Sequence, residues 1–362
     1  MTQIHLGHHG DTEVQPGLVD FAVNVAVARP PEWLRRELEG ALDDVARYPN
    51  VAPAVDALAH LHGCPASSLL VTNGAAEAFT LIARARPWRN PLVVHPQFTE
   101  PELALQASGY AVARLILRQD NGFALDSARV PGDADLVVVG NPTNPTSRLH
   151  SRASILALVR PGRLVVVDEA FMDVAPAGAD SVIEDAIRCE GLVVVRSLTK
   201  TFGLAGIRAG YLVGSSDLIA ECALTQPHWS VNSLAVAAVV ACAGAEGQEH
   251  ARAVRRDLSL WLPHLVDGLT RVGLDVVREP AGPFVLVHHP RAALLREGLR
   301  RKGFALRRGD TFPGLGTQWL RIAAREPAVT DPLLAAMAQE LASINQGSHD
   351  AAAINPESAD LG

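Results

Sequence analysis

The sequence predicts an α/β fold, in which a large domain holds a mostly parallel sheet and a smaller α+β domain follows it. Short, near-continuous β-branched runs recur between helical segments, the pattern of strands buried on both faces. The latter third drops that alternation for a charged amphipathic stretch and a few strands around one helix. With 362 residues, 48% of them hydrophobic, the chain can bury a core for two domains.

The elements follow in order. Residues 1–30 read as an N-terminal arm, and residues 31–245 as the large domain. PPEWLRRELEGALDDVARYP has helical periodicity from Trp33 to Val45, with Pro30 and Pro31 suited to its start and Pro49 beyond its end. Whether residues 31–47 pack on the large or the small domain is open at this level. A second helix over 55–63 ends at Gly63, and SLLVT is a short strand leading into a helix over 73–86. PLVVH (91–95), DLVVVG (135–140), RLVVVDEA (163–170) and GLVVV (191–195) are strands. LAVAAVVACAGA (234–245) is a helix, and QEHARAVRRDLSLWLPHLVDGL opens the small domain, residues 246–342. There GPFVLVHHP and TQWLRIAAR are strands, with the helix RAALLREGLRRKG between them. Residues 343–362 are small and polar, and are expected to be a disordered tail.

Composition removes several classes of function. The net charge is -7, and the 32 lysines and arginines are scattered without a basic tract, so nucleic acid is not an expected partner. Cys64, Cys189, Cys222 and Cys242 lack CxxC spacing and fit a reducing compartment. MTQIHLGHHGDTEV has no apolar signal-peptide core, and later apolar stretches are too short or too interrupted for membrane spans. A cytoplasmic protein without membrane partners is expected. His5, His8 and His9 cluster on a Gly-bounded arm with spacing poor for a metal site, so no metal is expected.

Chemistry in a parallel sheet gathers where strands deliver their C-terminal ends. After GLVVV comes RSLTKTFGLAGIRAGY, with Lys200 just past the strand and Arg208 eight places on. GNPTNPTS follows DLVVV as a loop made rigid by two prolines, VVVDEAF ends its strand on Asp168, and NGAAEAF starts a helix at Gly74. A lysine can form an imine with an aldehyde, and a carboxylate favours a protonated pyridine nitrogen. A helix start with hydroxyls and an arginine can hold a phosphate. Together these are the requirements of pyridoxal phosphate.

The ordered set NGAAE, NPTNPTS, VVVDEAF and SLTKTFGLAGIRAGY resembles the fold-type I aminotransferase superfamily of pyridoxal phosphate enzymes, over roughly residues 15–340. The resemblance implies a three-layer large domain. It also implies that Lys200 carries the cofactor, Asp168 pairs with the ring nitrogen, Asn144 faces the phenolic oxygen and Phe98 stacks on the ring. Gly74, Ala75, Ser197 and Arg208, with Thr199, would surround the phosphate. Tyr48 in ARYPN resembles a tyrosine that reaches the phosphate of the neighbouring subunit, which implies a homodimer with shared active sites. Phe171 stands where many relatives have a tyrosine, so a hydroxyl near the phenolic oxygen is missing.

For the substrate, the resemblance places Arg321 of TQWLRIAAREP where a carboxylate is held, with Arg325 a weaker companion. HLGHHGD and the following LVDFAVNVAVARPP resemble the N-terminal arm of threonine-phosphate decarboxylases of cobalamin biosynthesis. That likeness assigns His9, Gly10 and Asn24 to the substrate, although Asp11 departs from the usual glycine. TQPHWSVNSLAVAA, with Trp229 and Asn232, points to the same group. Arg307 or Arg308 would meet a substrate phosphate; adjacent residues on an extended segment face opposite ways, so only one of them can point inward. The expected reaction is decarboxylation of L-threonine O-3-phosphate to 1-aminopropan-2-ol O-phosphate. The alternative is transamination of histidinol phosphate, or a related amine, with 2-oxoglutarate.

Overall fold

A computed structural model describes the backbone of residues 6–353 and the side chains of residues 6–346; His5 and residues 354–362 lie outside the described residues. The strands, in chain order, are Val19–Phe21 (β1), Leu69–Asn73 (β2), Pro91–His95 (β3), Ala113–Ile116 (β4), Leu136–Gly140 (β5) and Leu164–Asp168 (β6). They continue with Leu192–Ser197 (β7), Ala209–Gly214 (β8), Asp275–Val276 (β9), Phe284–His288 (β10), Phe304–Arg308 (β11) and Trp319–Ala323 (β12).

Seven strands form the large sheet in the order β2-β8-β7-β6-β5-β3-β4. Strands β3 to β7 pair in parallel, and β8 runs antiparallel to both its neighbours. Alternation within the valine runs feeds two cores. Val137, Val139, Val165, Val167 and Val194 pack with Leu34, Leu58 and Ala235 on one face. Val138, Val166, Val193 and Val195 pack with Phe79, Ile82 and Leu218 on the other. Both faces are covered by helices, so neither face of these strands needs polar residues.

The helix Glu32–Gly40 packs on the helix Ser233–Ala243 and buries Leu34 in the large-sheet core. The five-stranded small sheet has the order β1-β11-β12-β10-β9. Its edge strand β1 comes from the N-terminal arm and lies parallel to β11. The arm is therefore built into the small sheet. Arg325 secures it there by donating to the carbonyls of Asp20 (3.1 Å), Val23 (2.8 Å) and Val25 (3.1 Å).

The helix Ala245–Arg271 links the two cores, with Ala251 in that of the large sheet and Val254 to Leu269 in that of the small one. The last helix runs Pro327–Ala353, so the backbone is helical for ten residues past 343, where a disordered tail was expected. Its inner face closes the small core through Leu333, Met337 and Leu341. Strands β1, β4, β8 and β9 are not among those that the sequence predicts. Among the described residues, no helix is long and apolar enough to cross a membrane.

Candidate active site

A cavity of about 350 Å³ opens at the C-terminal ends of β5, β6 and β7, between the large sheet, the small sheet and the N-terminal arm. The strand ends explain its central residues. Asp168 is the last residue of β6, Asn144 lies in the loop after β5, and Lys200 sits three residues beyond β7 in the short helix Thr199–Phe202. Ala75, Phe98, Ser197, Thr199 and Arg208 line the same cavity from the large sheet.

Asp168 is buried, and the Ala170 amide (3.0 Å) is the one hydrogen-bond donor to its carboxylate among the described residues. Burial pushes its carboxyl up to about 6, against the Ala170 hydrogen bond and the charge of Lys200. A cation placed against it would restore the charged form. Lys200 is half-buried, and its ammonium has no hydrogen-bond or ion-pair partner among the described residues. Burial, then the charge of Arg321, brings its amine down to about 8. A neutral, nucleophilic amine is thereby accessible near physiological pH.

Beside these two, the helix Gly74–Ala85 presents its N-terminus to the cavity. Gly74 has φ +75°, and a Cβ there would lie 2.7 Å from Nη2 of Arg208. Arg208 itself holds a left-handed φ of 64°, uncommon for a residue with a side chain. Gly210 is required by the same approach, since its Cβ would come within 2.9 Å of the Ala75 nitrogen and of the Arg196 carbonyl. Helix amides, the hydroxyls of Ser197 and Thr199, and a guanidinium thus converge on one end of the cavity. That is a fit for a phosphate.

Two guanidiniums from the small sheet occupy the other end. Arg307 on β11 and Arg321 on β12 are register partners, both nearly fully buried. Arg321 donates to Asn144 Oδ1 (2.6 Å) and to the Ala22 carbonyl, and lies over the ring of Phe284. Arg307 donates to the His8 carbonyl (2.6 Å) and lies over Phe312, 4.8 Å from its centroid. Among the described residues, Nη1 of Arg307 and Nε of Arg321 have no hydrogen-bond partner, and Nη1 of Arg307 faces Glu13 Oε1 at 3.9 Å as an ion pair. Burial brings Arg307 down to about 10; burial and the facing Arg307 hold Arg321 well below the usual guanidinium value. Both would be relieved by an anion.

The arm crosses between these ends. His9, Gly10, Asp11 and Asn24 all line the cavity. A Cβ on Gly10 would lie 2.6 Å from the Ala22 carbonyl oxygen, so only a glycine lets the arm sit this close over Arg321. His9 pairs with Glu100 (2.7 Å) and tilts against Phe98, while His8 pairs with Glu13 (2.9 Å).

Other expected residues lie elsewhere. Arg308 faces away and is bound to Asp310, as strand alternation demands once Arg307 points inward. Tyr48 and Trp229 stack on each other at 4.4 Å on the surface, 77% and 60% exposed, outside the cavity of this chain. Asn232 caps the helix Ser233–Ala243 through the Ala235 amide (2.8 Å) and donates to the Ile207 carbonyl (3.2 Å). Arg325 holds the arm and does not line the cavity. The reading from sequence missed Thr99 and Phe312 as lining residues. Thr99 follows Phe98 directly, a usable signal, whereas Phe312 sits on a loop whose path only the small sheet determines.

With this geometry in view, three relatives can be placed beside the chain. It is 47% identical to a histidinol-phosphate aminotransferase of Mycobacterium tuberculosis over 321 residues, 88% of this chain and 86% of that protein. It is 30% identical to the threonine-phosphate decarboxylase of Salmonella typhimurium over 341 residues, 90% of this chain and 92% of that protein. In fold it matches the histidinol-phosphate aminotransferase of Sinorhizobium meliloti, solved in complex with pyridoxal-5'-phosphate, with a TM-score of 0.78 and 22% identity, covering 89% of this chain and 90% of that one. The family model for aminotransferase class I and II matches residues 16–341, and the chain belongs to that family.

Proposed function

We propose that this chain is an aminotransferase that takes the amino group of a phosphorylated amine of the histidinol phosphate kind and passes it to 2-oxoglutarate. The observation that carries the substrate class is the pair of buried guanidiniums, Arg307 and Arg321, across the cavity from Lys200. An anion meeting them gains charge-assisted hydrogen bonds of about 1.5–3 kcal/mol each and relieves their mutual repulsion. Transamination is supported by the 47% identical relative.

The cofactor is pyridoxal 5'-phosphate, which when bound supplies an aldehyde for the amine and a ring that withdraws electrons from Cα. In this reading Asp168 holds the ring nitrogen in its cationic form, which also returns the carboxyl from about 6 to its ordinary range. Gly74, Ala75, Ser197, Thr199 and Arg208 hold the cofactor phosphate, Phe98 covers the ring, and Asn144 is the donor for its phenolic oxygen. Lys200, with its amine near 8, holds the aldehyde and then carries the proton to and from Cα. Arg321 and Arg307 hold the substrate phosphate, and the two carboxylates of the acceptor in the second half of the cycle. His9, Gly10 and Asn24 close the cavity over the substrate. The exposed Tyr48–Trp229 stack is the surface on which a second copy would complete the site, which sedimentation under native conditions would read as a dimer.

Decarboxylation of threonine phosphate is the second reading. Two inward guanidiniums also suit one substrate carrying both a phosphate and a carboxylate, and the Salmonella relative supports it. The test offers histidinol phosphate and threonine phosphate separately, each with and without 2-oxoglutarate, and follows glutamate and carbon dioxide. Glutamate from histidinol phosphate, dependent on the acceptor, is the expected result. Carbon dioxide from threonine phosphate without an acceptor, and no glutamate from histidinol phosphate, would overturn it in favour of decarboxylation. Neither product would sink the substrate class.

A further inference from the structure

Asp11 and Asp168 are the two acids lining a cavity that Lys200, Arg208, Arg307 and Arg321 also line. The Asp11 carboxylate is exposed and joins none of these cations in an ion pair or hydrogen bond among the described residues. The reason lies in how the arm is held on both sides of it. His9 is fixed by Glu100 (2.7 Å) and Gly10 is wedged against the Ala22 carbonyl. Glu13 is fixed by His8 (2.9 Å) and Arg296 (2.8 Å), and the Glu13 carbonyl accepts from Arg300 (2.7 Å). The short helix Gly10–Glu13 is thus held between Glu100, at the start of the helix Glu100–Ala107, and Arg296 and Arg300 of the helix Ala292–Arg301, and Asp11 lines the cavity without an ion pair among the described residues.

We infer that Asp11 is a specificity-determining residue, whose carboxylate accepts from an N–H-bearing or cationic heterocycle on the substrate, such as an imidazole, once the phosphate is held by Arg307 and Arg321. This rests on the function proposed above and deepens it. Asp11 lines the same cavity as Lys200 and Arg307, so a ligand lying between those two groups shares that cavity with its carboxylate. A substrate with a second anionic group at that rim meets repulsion there, whereas an imidazole donates an N–H whether neutral or protonated. Because the arm is already ordered, the contact costs little further conformational freedom.

The test measures binding of histidinol phosphate and of phenylalaninol phosphate, in which a phenyl ring replaces the imidazole. The holoenzyme is used without an acceptor, and the dependence on ligand concentration of the rate of the cofactor's absorbance change in this single half-turnover gives an apparent Kd. Wild type is expected to prefer the imidazole. Asp11→Asn, isosteric and exposed, should weaken histidinol phosphate about tenfold while the phenyl analogue changes less than about twofold. Equal weakening of both ligands, no change in either, or a wild type that does not prefer the imidazole overturns the inference. An unaltered cofactor spectrum in Asp11→Asn controls for folding. Glutamate formation by the wild type is read separately: its absence, with the imidazole preference intact, sinks the proposed reaction and leaves the role of Asp11 standing.

Discussion

Replacing Asp168 by asparagine should stabilise the cofactor-free protein while disabling the loaded enzyme. Asp168 is 7% exposed, and its carboxyl moves from 3.8 to about 6 on folding. That shift, about 2 units at about 1.4 kcal/mol each, is a penalty on the order of 3 kcal/mol for holding the charged form in the fold. The sign follows from proton binding. Between pH 3.8 and about 6 the folded state holds more protons than the unfolded one, so stability falls as pH rises through that window. Above it the full penalty is present; below it both states are protonated and the penalty vanishes. Asparagine keeps an oxygen for the Ala170 amide and carries no charge. Chemical denaturation of both apo-proteins at equal concentration should therefore find Asp168→Asn more stable by up to ~3 kcal/mol at pH 8, and nearly equal to wild type at pH 4. With cofactor the order reverses, because the ring cation that offsets the charge of Asp168 has no counterpart in the variant; turnover should fall by at least about a hundredfold. An apo-variant less stable than wild type at pH 8, or a difference independent of pH, would refute the reasoning.

Three further outcomes are expected. Covalent loading of the apoenzyme needs the neutral amine of Lys200, so its rate should rise with pH about a midpoint near 8; borohydride reduction and peptide mapping should place the adduct on that lysine. Arg321→Ala removes the neighbouring charge that most depresses this amine, and the midpoint should move upward; a downward or absent shift counts against the electrostatic account. Gly210→Ala should push the helix start at Ala75 away from Arg196, costing about 1–3 kcal/mol and weakening retention of the cofactor on dialysis. Unchanged retention would show that the helix start does not hold the phosphate.

The valine runs at 136–140, 164–168 and 192–197 were legible as buried strands because hydrophobicity on both faces is a local property of the chain. Their order was enough to put Asp168 and Lys200 at strand ends, and the resemblance carried by the surrounding motifs supplied the cofactor. Strand β8 was not legible. AGYLVG is strand here because Gly210 must lie beneath the start of the helix at Ala75, a requirement imposed from 135 residues away. The strand within the arm was not legible for the same reason. Val19–Phe21 becomes strand only by pairing with Phe304–Leu306, and Arg325 holds the following turn by its carbonyls. Between Arg307 and Arg308, periodicity could say that the two face opposite ways, while only the pairing with Arg321 on β12 chose which one enters the cavity. The sequence by itself determined the kinds of strand, their ends and the chemistry grouped there, all set within a few residues. Tertiary structure decided what the arm covers, which arginines converge, and that Asp11 lines the same cavity as they do, because each depends on contacts between segments that are neighbours only after folding.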